Sequence, residues 1–141
     1  VGCPLNLWSA TSPVERSRLP GDTDADVVIV GAGFTGLWTA YYLATADPAL
    51  RIVVLEAETA GFGASGRNGG WCSALFPVSS RRLAALPGSS RSAAIELHRA
   101  MQASVNEVGL VTAAEGIDCD YHKGGTVVLA RTRAQLARAR A

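Results

Sequence analysis

Two groups of residues in the 141-residue sequence have types and spacings suited to chemistry. The first is Gly31-x-Gly33-x-x-Gly36 in "VVIVGAGFTGLWTA", followed twenty residues after Gly36 by Glu56. Gly31 permits a tight turn, Gly33 lets backbone approach a pyrophosphate, and Gly36 allows a helix to pack closely on a strand. The N-terminus of such a helix stabilises phosphate through unpaired N–H groups and a positive dipole end, with no lysine needed. A carboxylate at Glu56 can accept hydrogen bonds from both ribose hydroxyls of an adenosine. The second group is "GFGASGRNGG", Gly61 to Gly70, with five glycines, one arginine and one asparagine in ten residues. So many missing side chains leave its backbone open to close approach.

A glycine fingerprint of this kind occurs often by chance, so the elements around it decide its worth. Val27 to Val30 reads as a β-branched strand, about Thr35 to Thr45 as a helix, Asp47-Pro48 as a turn, and Ile52 to Leu55 as a second strand. This is a βαβ unit, and it places the glycines at the strand-to-helix turn and Glu56 at the end of the second strand. Val27 to Ala46 is also twenty residues without a charge, the length of a membrane span. Three glycines near its middle, β-branched residues in its first third, and Asp26 and Asp47-Pro48 as flanks favour strand, turn and buried helix instead.

Residues 1 to 25 are rich in Pro, Ser and charge and read as an irregular surface lead-in, with Trp8 either an anchor or exposed. Residues 57 to 90 are rich in Gly, Ser and Pro with little periodicity. From about Ser92 to Ala114, Leu97, Met101, Val105, Val108 and Val111 recur at helical spacing and mark a core-facing stripe. The last stretch reads as a short strand, a Gly124-Gly125 turn, a strand from Thr126 to Ala130, and a basic helix starting near Thr132. No C-terminal helix signal precedes Ala141, and a lone hairpin leaves its edges unpaired, so a piece of a longer protein is expected.

With 13 basic and 12 acidic residues, the chain has no nucleic-acid footprint. Cys3, Cys72 and Cys119 lie far apart, without a C-x-x-C pair and with two histidines, so neither a metal site nor a disulfide framework is expected. No basic-then-apolar leader and no N-x-S/T acceptor is present, and a cytoplasmic location fits. His98 reads as lying on the polar side of its helix and His122 on a strand near Asp120. Arg131, Arg133, Arg138 and Arg140 read as a solvated helix face.

Glu56 would repel a 2′-phosphate, which disfavours NADP and leaves NAD and FAD. A nicotinamide enzyme calls for another helix and a third parallel strand soon after the second; residues 57 to 80 supply the glycine loop instead, which tilts the choice to FAD. "DVVIVGAGFTGLWTAYYLA", "IVVLEAETAGFGASGRNGG" and "GIDCDYHKGGTVVLARTRAQLARA" together resemble the N-terminal part of the FAD-dependent amine and D-amino-acid oxidase (DAO) family. They are most similar to its gamma-glutamylputrescine-oxidase-like branch. The resemblance implies an α/β fold: a Rossmann-like FAD-binding βαβ unit plus the beginning of an α+β substrate domain. The corresponding divisions are a lead-in at 1–25, an FAD-binding part at 26–90, and a helix with the start of the substrate domain at 91–141.

What the resemblance implies chemically is oxidation of a carbon–nitrogen bond of a small amine or amino acid, with a hydride passing to flavin and oxygen taking the electrons. Catalytic residues are not assigned, because the flavin supplies the reactivity. The family's pyrophosphate turn falls on Gly31, Ala32, Gly33, Phe34, Thr35 and Gly36, its ribose acceptor on Glu56, and its adenosine side on Ala57 and Glu58. Its flavin loop falls on Ser65, Gly66, Arg67, Asn68, Gly69 and Gly70. Arg67 offsets phosphate or reduced-flavin charge, or is an exposed arginine without a partner; Asn68 contacts cofactor or serves a turn with positive φ. Trp71 packs near the ring or in the core, and Cys72 is a buried small hydrophobe or a covalent flavin anchor. Weak or no flavin retention is expected of residues 1 to 141 alone. Two other readings stay open: an NAD-dependent dehydrogenase, and a dinucleotide-binding module without catalysis.

Overall fold

The structure is a computed structural model and describes residues 16–140. Trp8 and Cys3 lie outside those residues. The chain divides into two compact units, one ending at Trp71 and the other beginning at Cys72.

In the first unit, β1 (Val27–Val30) and β2 (Ile52–Leu55) pair in parallel, Val27 opposite Ile52 through Val30 opposite Leu55. Parallel neighbours need a crossover, and α1 (Phe34–Ala46) provides it. The strands and helix fall where hydrophobic periodicity places them, α1 being one residue longer at each end than expected. Gly33, in extended conformation, precedes the helix, and the Asp47 N–H closes it on the Leu43 carbonyl. Asp26 and Arg51 pin the open end of the sheet. The Arg51 guanidinium donates from Nε and Nη2 to the two Asp26 carboxylate oxygens at 3.1 and 3.0 Å, and the Arg51 N–H adds a third bond at 2.8 Å.

Alternation along each strand gives the sheet two unlike faces. Ile29 faces α1, its Cγ2 close beneath Gly36. On the other face Val28, Val30 and Leu55 are exposed, Val30 to 85%. Residues 19–25 run beside that face, where Leu19, Thr23, Ala25, Val28, Val53 and Leu55 line an open depression of about 380 Å³. None of its lining residues belongs to the glycine segments. α1 itself is apolar all round, with Phe34, Leu37 and Tyr42 exposed and Trp38 stacked on Tyr42 at 5.5 Å.

In the second unit, α2 (Ser80–Ala84) packs on α3 (Arg91–Ala114), and α4 (Arg133–Arg140) follows near the end. α2 and α3 carry their own serine caps: Ser79 accepts from the Arg82 N–H and Ser90 from the Ala93 N–H. α2 lies within the span that lacks periodicity, because five residues are too few to show it. The least exposed line of α3 runs through Ala94, His98, Met101, Val105, Val108, Val111 and Thr112, which contains most of the expected stripe, although Leu97 is exposed. His98 is therefore not on the solvent side. Its Nε2 meets Ser80 Oγ at 3.0 Å and its ring stands edge-on to Phe76.

Residues 116–132 contain no strand. Val127, Val128 and Leu129 are strand-like in composition yet 73–84% exposed, and His122 Nδ1 meets the Asp120 carbonyl. Strand propensity needs a neighbouring edge to become a ladder, and the described residues offer this segment none. Among the described residues, no helix is long and apolar enough to cross a membrane, and no group of His, Cys, Asp and Glu could hold a metal ion.

Candidate dinucleotide site

The site lies wholly in the first unit and is built on backbone at the end of β1. Gly31 continues the ladder, its N–H donating to the Leu55 carbonyl at 2.7 Å, and then turns with φ 102°, a conformation strained for any residue with a Cβ. Gly36, one turn into α1, sits so close beneath the chain that a Cβ would overlap the Gly31 carbonyl oxygen. The roles read for these two glycines from their spacing are therefore visible as geometry.

Between them Ala32, 5% exposed, joins three segments. Its N–H donates to Glu56 Oε2 at 2.8 Å, and its carbonyl accepts from the Gly61 N–H at 2.9 Å. Glu56 Oε1 accepts from the Glu58 N–H at 3.2 Å. The Ala32 N–H, then those of Glu58 and Ala57, hold the Glu56 carboxyl below its ordinary range. Glu56 is thus ionised at neutral pH. Two carboxylate oxygens have about four acceptor positions, so after these backbone bonds capacity remains for ribose hydroxyls.

Gly33 has no side chain with which to cap α1. Ser65 Oγ performs that task from the second glycine segment, accepting from the Phe34 N–H at 2.9 Å. Phe34 and Thr35 are exposed in the first turn of the helix, where N–H groups have no intrahelical partner. The second segment continues as a 3₁₀ turn, Ala64–Gly66, in which the Gly66 N–H bonds the Gly63 carbonyl.

Of the fifteen residues named from the sequence, Gly31, Ala32, Phe34, Glu56, Glu58 and Ser65 are joined directly by these bonds, with Gly33, Thr35, Gly36, Ala57 and Gly66 beside them. Arg67, Asn68, Gly69 and Gly70 lie farther along the loop. Asn68 bonds within its own turn, and Gly69 and Gly70 are exposed. Among the described residues Arg67 makes no ion pair; its guanidinium carbon lies 4.4 Å from the centre of the Phe62 ring, a cation–π stack. Trp71 is 89% exposed rather than in the core, and Cys72 is exposed rather than a buried small hydrophobe, because neither has packing around it at the unit's end. Sequence reasoning missed Phe62, five residues before Arg67, and the capping role of Ser65. The second had a signal: a helix opened by glycine needs a capping oxygen from elsewhere.

The residues fit a dinucleotide. A glycine turn, in which Gly31 has φ 102° and Gly36 leaves no room for a Cβ against the Gly31 carbonyl, opens on a helix N-terminus, and an ionised carboxylate stands at the adjoining strand end.

Comparison with known proteins agrees. Gamma-glutamylputrescine oxidoreductase of Escherichia coli (strain K12) is 40% identical over 107 residues, covering 73% of this chain and 23% of the relative. A probable oxidoreductase OrdL of Haemophilus influenzae is 52% identical over 46 residues, 33% of this chain and 10% of the relative. Thiamine thiazole synthase of Schizosaccharomyces pombe is 48% identical over 44 residues, 31% of this chain and 13% of the relative. The chain thus matches less than a quarter of the length of each of these proteins. No solved structure gives a significant match. Residues 26–141 match the family of FAD dependent oxidoreductases designated DAO, and with four-fifths of its length so matched the chain belongs to that family.

Proposed function

We propose that this chain forms the dinucleotide-binding part of an FAD-dependent oxidoreductase that oxidises a carbon–nitrogen bond of a small amine or amino acid, with oxygen as electron acceptor. The carrying observation is the joint between the two glycine segments and Glu56, made through Ala32 and Ser65. In this reading residues 26–90 hold FAD, and residues 91–141 are the helix and the beginning of an α+β substrate domain. The similarity to gamma-glutamylputrescine oxidoreductase supports an amine substrate. A cytoplasmic location belongs to the same reading and rests on the scattered cysteines.

Bound FAD would supply the hydride acceptor, while oxygen becomes hydrogen peroxide and the substrate loses two electrons and two protons to become an imine. This chain's own part is placement. Glu56 accepts from the ribose, the first turn of α1 faces the pyrophosphate, and Ser65 to Gly70 bring backbone N–H groups to the flavin side. Arg67, stacked on Phe62 and without a carboxylate partner among the described residues, contributes positive charge toward phosphate or reduced flavin.

Purification of the full-length protein tests this. The expected result is a yellow protein that releases FAD on denaturation, bleaches with amine under anaerobic conditions, and recovers colour with hydrogen peroxide formation in air. A colourless protein that binds NAD would refute it. Glu56→Gln replaces one acceptor oxygen with a donor facing an N–H or a ribose hydroxyl, so it should weaken FAD binding while leaving riboflavin, which lacks the adenosine, unaffected.

A further inference from the structure

α1 differs from α2 and α3 in the origin of its cap. Those two helices use the serine directly before them, whereas α1 follows Gly33, and an added Cβ there would lie 3.0 Å from Ser65 Oγ. The capping oxygen comes instead from Ser65, thirty-one residues beyond the Phe34 N–H that it accepts from. A hydroxyl brought from that distance is useful only if its own turn holds still.

Asn68 provides the restraint. Its Nδ2 donates to the Ser65 carbonyl at 2.8 Å and to the Ala64 carbonyl at 3.3 Å, while its Oδ1 accepts from the Gly70 N–H at 2.8 Å. One side chain thus closes the 3₁₀ turn on one side and fixes the left-handed Gly70, φ 71°, on the other. No other side chain in the segment bonds more than one of its backbone groups among the described residues.

We propose that Asn68 is a positioning residue that acts through Ser65: it holds the Ser65 hydroxyl as the cap of α1 and so fixes the second glycine segment to the phosphate-facing end of the first. The link itself is internal to the protein. Its consequence for the cofactor rests on the FAD reading above: the surface is set before FAD arrives, so less ordering entropy opposes binding.

Hydrogen exchange at the Phe34 amide of the cofactor-free, full-length protein tests the link, with the Tyr41 amide inside α1 as internal reference. Losing an N-cap acceptor weakens the helix end enough to speed exchange by about twofold to thirtyfold. Ser65→Ala and Asn68→Ala should each accelerate Phe34 within that range and leave Tyr41 unchanged. Ser65→Thr, which retains a capping hydroxyl, should restore protection. Asn68→Asp keeps the acceptor for Gly70 but cannot donate to Ser65, so it should behave like Asn68→Ala. The double variant Ser65→Ala/Asn68→Ala should exchange no faster than Ser65→Ala alone, because the two residues act in series. The FAD dissociation constant, followed by flavin fluorescence, should rise in the single variants and also fail to add in the double.

Unchanged Phe34 exchange in a folded Asn68→Ala protein, or additive effects in the double variant, overturns the inference. Should Asn68→Ala not fold, unchanged exchange in Ser65→Ala overturns it equally. Absence of FAD binding by the unaltered protein would instead refute the proposed function and leave the exchange result standing.

Discussion

Replacing Gly36 with alanine sets two opposing effects against each other at one atom. Alanine is the better helix former, by about 1 kcal/mol. The added methyl, however, would overlap the Gly31 carbonyl oxygen, with the Gly31 carbonyl carbon at 3.2 Å and Ile29 Cγ2 at 3.3 Å. The Ile29 contact is tight by only a few tenths of an ångström and a side chain can yield that much. The carbonyl belongs to backbone pinned at both ends, by the Gly31 N–H bond to Leu55 and the Ala32 N–H bond to Glu56. Relief therefore requires α1 to move off the sheet, which puts the substitution at the upper end of the about 1–3 kcal/mol typical of overpacking. After the helix-propensity gain, a net loss of about 1–2 kcal/mol remains, or about 3–8 °C in Tm for a chain of this size. Thermal unfolding followed by circular dichroism measures it. The Ile29→Ala background separates the two contacts: because backbone is the main obstacle, trimming Ile29 should not rescue Gly36→Ala. A Tm equal to or above that of the unaltered protein, or recovery in the double variant, would refute the close-packing account.

Strong acid should loosen the open end of the sheet. The Arg51 guanidinium and N–H hold the Asp26 carboxyl down at about 2, from an ordinary 3.8, so its stabilising contribution is complete above 3.8 and is lost as pH falls toward 2. Tm measured from pH 5 to pH 2 should fall in the unaltered protein and less steeply in Asp26→Asn. Phe62→Leu removes the ring beneath Arg67, worth about 0.5–1 kcal/mol at an exposed site, and should raise the FAD dissociation constant about twofold to fivefold. Arg67→Ala should raise it at least as much, and adding Phe62→Leu to it should change nothing further. In the second unit, Tyr121→Phe removes a 2.7 Å bond to the Val105 carbonyl and should cost about 1 kcal/mol in urea unfolding. Gly109→Ala should cost more, because its Cβ would lie 2.5 Å from the Tyr121 ring.

The first unit was legible because each signal there is local. β-branched residues, a glycine turn, an apolar helix and a second β-branched run follow one another, and their boundaries in the structure agree within one residue. Residues 126–130 carry equally strong strand composition and form no strand, since pairing depends on a partner edge that no local pattern encodes. His98 shows the same limit on a helix. Polarity suggested solvent, but α2 supplies Ser80 as a partner, and five residues of α2 leave no periodic trace. Within the site, spacing sets positions along the chain but does not name their partners. Among the described residues Arg67 makes no ion pair, and its support is Phe62, a cation–π contact that spacing alone does not distinguish from an ordinary loop aromatic.

Glycine supplies nearness, but something else must fix where near backbones lie, and in this chain that task converges on Ala32. Its N–H is committed to Glu56 and its carbonyl to Gly61, while Ser65 reaches Phe34 two residues farther on. In the proposed dinucleotide reading the carboxylate therefore has two functions that reinforce each other. Held ionised by backbone donors, Glu56 can only accept hydrogen bonds, which suits ribose hydroxyls and repels a 2′-phosphate. Held in place by the same donors, it anchors the turn that we propose faces the pyrophosphate. In that reading phosphate recognition needs no lysine in the turn: the charge comes from oriented backbone and one helix end, with Arg67 the only cationic side chain in residues 57–80. The glycines of residues 61–70 thus do more than clear space. They let a loop fold back far enough for Gly61 and Ser65 to close on Ala32 and Phe34, making two glycine segments one surface.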